Sequence, residues 1–366
     1  YDPFDFFQDG TVLNNRLSIR NGSDAGSYFF SISNLEQDGV IPNNVFGRST
    51  VRLNATTNIS DKITFGSELS YTNSRAVRIQ KGSNVSGIML GLLRTPPTFN
   101  NAAGYEFADG SQRTYRNGSG YDNPYWISNN IAFDENVNRF TGTVNTMIKF
   151  SDFINVTANA GLDWYNRRYI DRFKIGSRGN PAGYLGEYMY FGSVFNADVL
   201  VNMQKDITDE FNAKLTVGSN VYHSYGRSLF GDADGLEIPD FYQLNNTSKN
   251  SNSSGETELK TMAVFFDLQM AYRNMLFLGV TGRNDWSTTM PEQNESAFYP
   301  SVSLGFVFSE LEGLKNNDIL TYGKFRASAA KTANIAGPYN TANYFFGAGT
   351  GDGWTNGVNF PYQGET

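Results

Sequence analysis

The chain has 366 residues, one histidine and no cysteine, which excludes a disulfide framework and a thiolate metal site and speaks against a histidine-built zinc or haem centre. Its formal net charge is −7, and its Lys and Arg are scattered. Nucleic acid binding needs a concentrated basic face, so that class is set aside. Aromatics reach 15% against only 18% charged residues, with 37 glycines, a mix that leans on Tyr, Phe, Gly, Asn and Ser rather than on Leu, Ile and Val.

No α-helical membrane span is present: apolar runs such as Ile88 to Leu93 reach about six residues against the ~20 that a helix needs. No signal peptide is visible, and the chain opens at Tyr1, so it is read as processed or as beginning within a longer protein.

In chain order the dominant pattern has period two, apolar residues alternating with polar ones as in half-buried strands. Segments 13–20 and 28–35 lead. Val51-Arg52-Leu53-Asn54-Ala55-Thr56 and Ile63 to Tyr71 then form a hairpin about a turn at Ser60-Asp61-Lys62. The pattern returns over 140–150, 154–164, 191–203, 211–221, 262–272, 276–280, 300–308 and 320–329, giving about twelve strands. Short turns are expected at 21–26, 60–62, 151–152, 205–209 and 273–274, with a longer one at 310–319. Long connections are expected at 36–47, 74–136, 167–189, 226–257 and 287–298, and after 331. Within 74–136, residues Gly82 to Leu93 suit a short helix before the Pro96-Pro97 break.

Strands of about ten residues with short turns on one side and long loops on the other match outer-membrane barrels, with short periplasmic turns and longer extracellular loops. Tyr71, Phe150, Phe153, Trp164, Phe211, Tyr272 and Tyr299 stand at strand ends, where interfacial girdles sit. A soluble sandwich has shorter strands and lacks this asymmetry, and no fixed-period solenoid repeat is present. The expectation is an all-β fold, an antiparallel transmembrane β-barrel, multi-pass in the bacterial outer membrane. An open sheet edge is not tolerated in lipid. Thr366 lies in a Gly-rich stretch with no closing aromatic strand, so residues 1–366 are read as part of a larger barrel.

The alternation assigns faces. Val51, Leu53, Ile63, Phe65, Leu69, Val144, Ile148, Val156, Leu162, Val199, Val264, Leu268 and Leu304 are expected to face lipid. Arg52, Glu68, Arg139, Lys149, Asp163, Asp198, Lys214 and Asp267 are expected to face the lumen. They form a solvated wall or meet substrate or a plug.

No nucleophile with a base, Walker-type loop or G-x-S-x-G is visible, so no enzyme is expected. His223, on the apolar parity near a strand end, suits a structural role. The stretch Gly231-Asp232-Ala233-Asp234-Gly235-Leu236-Glu237 has carboxylates that Ca²⁺ could use but lacks EF-hand spacing. No other cofactor is expected. Tyr105, Phe107, Tyr115, Tyr121, Asp122, Asn123, Tyr125 and Trp126 gather in the 74–136 connection. Aromatic faces beside amides and carboxylates suit sugar rings or peptides, and equally suit a loop that packs on its own rings. Pro124 would stiffen the last of these.

Several segments resemble the SusC/RagA family of TonB-dependent outer-membrane transporters of Bacteroidetes. They are Asn21-Gly22-Ser23 with Tyr28 to Ser33 and Leu35-Glu36-Gln37-Asp38-Gly39-Val40-Ile41; Arg48 to Asn54; Leu92 to Thr98; and Ile238 to Asn246. Arg283 to Pro291, Tyr299 to Gly305 and Phe325 to Asn334 follow in the family's order and spacing. The resemblance implies a barrel of 22 strands, of which this chain holds about twelve. It also implies import of a glycan or oligopeptide, a SusD-like surface lipoprotein as partner, and energy from the TonB complex. The family's plug and TonB box have no counterpart in these residues. A passive porin, or a barrel scaffold in a larger envelope complex, is the competing class.

Overall fold

A computed structural model describes residues 2–80, 82, 84–116, 120–291, 295–315 and 319–340. Twelve strands neighbour one another in chain order in a single sheet. They are β1 (Thr11–Ser23), β2 (Gly26–Asp38), β3 (Val45–Ser60), β4 (Ile63–Arg78), β5 (Ile131–Ser151) and β6 (Ile154–Phe173), followed by β7 (Tyr184–Thr208), β8 (Phe211–Asp234), β9 (Asn250–Tyr272), β10 (Leu276–Ser287), β11 (Ser296–Val307) and β12 (Lys324–Ala330). Two short helices, α1 (Ile88–Arg94) and α2 (Pro124–Asn130), lie between β4 and β5. No helix among the described residues is long and apolar enough to cross a membrane, which says nothing of crossing by strands.

Turns of two or three residues join β1 to β2, β3 to β4, β5 to β6, β7 to β8 and β9 to β10. The intervening connections are 39–44, 79–130, 174–183, 235–249 and 288–295. The asymmetry read from the sequence is present, but the strands run further than expected. β5 to β9 have 20 to 25 residues each, and they take up much of what looked like long loop. Where both faces of a strand are wet, apolar alternation fades although backbone pairing continues. β12 is the exception, beginning at Lys324 rather than at 320. The expected lack of a closing strand before Thr366 falls on residues 341–366, outside those described.

The chain divides into two compact units. In the first (1–148, 159–195 and 224–257), the register of β1–β5 builds two faces. One carries the row Leu17, Ile32, Val51, Tyr71 and Phe140, each opposite the next, and beside it Ile19, Phe30, Leu53, Leu69 and Gly142. The other carries Ser18, Ser31, Arg52, Ser70 and Thr141, and beside them Arg20, Phe29, Asn54, Glu68 and Thr143. The apolar side chains are not covered: Leu17 is 68% exposed and Leu53 38%. In water such a stripe would be a liability; it needs an apolar solvent.

The apolar face ends at a sharp row. Asn15, Asn34, Ser49, Asn73 and Asn138 lie opposite one another, two residues beyond the Leu17–Phe140 row. Ser49 Oγ donates to Asn34 Oδ1 (2.9 Å), while Asn73 Nδ2 and the Tyr71 hydroxyl both donate to Asn138 Oδ1 (2.8 Å each). One row further, Arg75 and Glu36 form an ion pair (3.7 Å) across Gly47, where an added Cβ would come within 2.9 Å of the Glu36 carboxylate. Tyr71 and Trp164 thus sit within strands rather than at their ends, and Tyr71 borders the apolar stripe.

The second unit (149–158, 196–223 and 258–366) shows the same division over β9–β12. Met270, Leu278, Leu304 and Ala327 share one row, and Gln269, Gly279, Ser303 and Ser328 share the adjoining polar one. His223 is mid-strand rather than near an end, bonded to Glu258 (2.9 Å), which also pairs with Lys260 (2.7 Å).

Candidate substrate-binding surfaces

The polar face holds the expected wall residues. Arg52, Glu68, Arg139 and Lys149 share parity through the β3–β4–β5 register. Arg139 grips Asp163 through Nε (2.9 Å) and Nη2 (2.5 Å), which puts Asp163 of β6 on that face too. Asp267 lies opposite Thr281, away from the apolar row of Leu268 and Val280. Asp198 shares the parity of Asn196, which accepts from Asn220 Nδ2 (3.0 Å). Each unit has a hollow of about 610 Å³ on this face. Arg20, Asn54, Glu68 and Asn145 border one, and Lys214, Asp267, Lys324 and Arg326 the other.

The 79–130 connection is organised around a buried carboxylate. Asp122 Oδ2 accepts from Ser86 Oγ (2.5 Å), and Oδ1 accepts from Gln112 Nε2 and from the Arg178 backbone N–H (2.7 Å each). Burial holds this carboxyl above its usual range, against the opposing pull of these hydrogen bonds and of the Arg178 charge. Asn123 caps α2, its Oδ1 accepting from the Tyr125 N–H (3.0 Å), and Pro124 occupies the first turn, where its missing N–H costs nothing. Trp126 is 0% exposed and donates Nε1–H to Ser177 Oγ (3.0 Å). Tyr125 meets Phe6 edge-on at 4.9 Å, and Phe6 joins Ile79, Ile88, Leu92, Ile127 and Ile131 in one core.

This corrects the expectation that Asp122, Asn123, Tyr125 and Trp126 wait as an open binding cluster. Asp122, Asn123 and Trp126 are buried as packing and capping groups, and Tyr125 is half-buried. Helix α1 is seven residues rather than a run from Gly82. Phe107 and Tyr115 are exposed, while Tyr105 and Tyr121 are half-buried. The ring faces here are largely occupied. Arg94 lies 5.1 Å and Arg116 6.0 Å from the Tyr121 centroid, Arg116 lies 6.0 Å from that of Tyr115, and Arg113 covers Phe99 at 4.3 Å. In the 231–237 stretch, Asp232 accepts from the Ser251 N–H (3.1 Å) and hydroxyl. No set of three metal-ligating side chains gathers among the described residues.

A second aromatic group lies on the polar face of β5–β8. Tyr165, Arg167 and Tyr169 share parity with Asp163. Tyr165 stacks on Tyr190 (5.3 Å, 23°), Tyr169 lies 5.8 Å from Tyr188, Tyr188 lies 4.4 Å from Phe230, and Phe133 stacks on Tyr169 at 6.5 Å. Glu135, paired with Arg78 and with Arg167 (2.6 Å), stands beside them. These rings were not singled out in the sequence because 167–189 looked like loop. Tyr165 and Tyr169, four apart on a continuing strand, were the available signal.

A two-faced antiparallel wall with an uncovered apolar stripe defines an outer-membrane β-barrel protein. No family model matches the chain. It is 24% identical over 370 residues to TonB-dependent receptor P3 of Formosa agariphila, covering 97% of this chain and 36% of that protein. It is 21% identical over 342 residues to TonB-dependent receptor SusC of Bacteroides thetaiotaomicron, covering 87% of this chain and 33% of that one. Its fold matches the RagAB peptide transporter with a TM-score of 0.72 at 18% identity, over 98% of this chain and 40% of that chain. Along nearly its whole length the chain is thus similar to proteins named as TonB-dependent receptors, and its fold is the one seen in the RagAB structure. It spans about a third of the length of the curated relatives it matches, 36% and 33%.

Proposed function

We propose that this chain forms wall of an outer-membrane importer that moves an oligomeric nutrient, glycan or oligopeptide, inward with energy from TonB. The observation that carries the reading is the division of the sheet into an uncovered apolar face and a polar face with charged side chains. The apolar face lies against lipid, and the polar face, with Arg52, Glu68, Arg139, Lys149, Asp163, Asp198 and Asp267, lines the passage. Similarity to TonB-dependent receptors along nearly the whole chain supports energised transport over a passive pore. RagAB, whose fold this chain shares, is described as a peptide transporter, which supports an oligomer as cargo.

A SusD-like surface lipoprotein is the partner in this reading, seated over the connections 79–130, 174–183 and 235–249. Two measurements test it. Uptake of labelled oligomers by cells expressing the full receptor should drop to background when TonB is deleted; uptake that persists would favour the passive porin. Affinity purification from native membranes should recover the lipoprotein in stoichiometric amount, and its consistent absence would remove it from the assembly.

A further inference from the structure

We propose that the connection 174–183 straps the two longer connections 79–130 and 235–249 into one moving body, with Lys174 as the latch between them. The inference goes beyond the import reading and does not depend on cargo or energy source, since it rests only on how these three segments are tied.

The strap is fastened on both sides. Toward 79–130, the Lys174 N–H donates to the Asn130 carbonyl (3.2 Å), the Arg178 N–H donates to Asp122 Oδ1 (2.7 Å), and Ser177 Oγ accepts from Trp126 Nε1 (3.0 Å). Toward 235–249, the Gly235 and Leu236 N–H groups donate to the Gly183 (3.1 Å) and Ala182 (2.8 Å) carbonyls. The seat there is close. Gly183 has φ +78°, and a Cβ on it would come within 2.9 Å of the Ile175 side chain and 3.0 Å of that of Leu236. All of these bonds survive if the three segments shift together. A longer connection that moves alone must break its own set.

Lys174 joins the two longer connections through one charge. Its ammonium lies 3.1 Å from Glu106 Oε1 in 79–130 and 3.9 Å from Asp240 Oδ2 in 235–249, and 5.3 Å from the centroid of the Trp126 ring. The side chain is 17% exposed, so drawing the two carboxylates apart would leave a poorly hydrated cation short of a partner. Each carboxylate also stands on a stiff support. Glu106 bridges to Gln112, whose Nε2 donates to Asp122, and Asp122 returns the circuit to the strap through the Arg178 N–H. Asp240 sits at φ +56° in a turn tied by Asn246, whose Nδ2 donates to the carbonyls of Ile238 (2.8 Å) and Phe241 (2.6 Å). A disturbance of one support therefore reaches the other through Lys174.

Hydrogen exchange in the full-length receptor, purified in detergent, tests the coupling. The bonded amides of Phe107 and Arg113 report on 79–130, and those of Glu237 and Asn246 report on 235–249. Asn246→Ala unties the 238–246 turn alone. It should speed exchange at Glu237 and also raise that of Phe107 and Arg113 about threefold, the size of one exposed ion pair. Lys174→Met keeps the stem on Trp126 and removes the charge. By itself it should speed exchange in both connections about tenfold, as the loss of a charged hydrogen bond does. Added to Lys174→Met, Asn246→Ala should no longer change Phe107 and Arg113. If Lys174→Met does not migrate as a heat-modifiable barrel, Asp240→Asn, at a side chain 62% exposed, takes its place and should cut the transmission in the same way. Exchange that rises only in 235–249 after Asn246→Ala would show two separate flaps and overturn the strap. Transmission that persists once the Lys174 charge or the Asp240 carboxylate is gone would overturn the latch.

Discussion

Replacing Asp122 with Ala would strand three donors at once: Ser86 Oγ, Gln112 Nε2 and the Arg178 N–H. A single buried unsatisfied donor costs about 1–3 kcal/mol, so Asp122→Ala should open the 79–130 connection to protease in the assembled receptor while the strands stay protected. Equal protease resistance in both proteins would show that the knot does not hold the connection. The same group gives a pH dependence. Its folded-state pKa is raised above the unfolded value, so the folded connection retains a proton that the opened one releases. Its contribution is fully present below the ordinary aspartate range and falls as pH rises through the raised value. Protection of the connection in wild type should therefore decline across that interval, and the decline should vanish in Asp122→Asn. Trp126 and Asp122 read in the sequence as exposed recognition chemistry because composition and local spacing carry no information about the distant partners Ser177 and Arg178. Those contacts appear only once β6 has delivered the 174–183 segment.

At the level of the strand, parity decides which substitutions the protein tolerates. Val144 and Thr143 are adjacent in β5 but lie on opposite faces, opposite Ser67 and Glu68 respectively. Val144→Arg should cost about 2–4 kcal/mol of folding free energy in lipid, the depth-dependent penalty of a lipid-facing arginine near mid-membrane, whereas Thr143→Arg should cost much less. Denaturant titration of the receptor in bilayers reads the difference, and equal costs would invalidate the face assignment. The number of strands, their order and this parity were legible because burial of one face writes a period of two into the residues. The outer halves of β5–β9 were not, since both of their faces are wet. Nor was the stacking of Tyr165 on Tyr190, which depends on cross-strand register between residues 25 positions apart with a glycine at 192. A search for tyrosines facing glycines on paired strands would have found it.

For the molecule as a whole, the row of Asn15, Asn34, Ser49, Asn73 and Asn138 has a mechanical consequence. It works as a waterline. Residues alternate faces, so successive side chains on the lipid face stand two residues, about 7 Å, apart along a strand, and a vertical slip of that size carries one whole row across the boundary. A slip one way drags five polar side chains and then the Glu36–Arg75 pair into hydrocarbon; a slip the other way lifts Leu17, Ile32, Val51, Tyr71 and Phe140 out of it. Both raise the free energy, so the wall floats at one draught. From Phe140 to Phe150, β5 advances about 33 Å along its axis, which a tilt near 40° reduces to roughly the 25 Å height of an outer-membrane apolar band. The remaining residues of β5, Ile131 to Arg139, ride above the surface as freeboard. Replacing Asn73 and Asn138 with Leu should deepen the draught on that side. Spin labels placed at successive β4 positions would register it as a shift of the lipid-accessible window toward Arg78, and an unmoved window would show that the level is set elsewhere in the barrel.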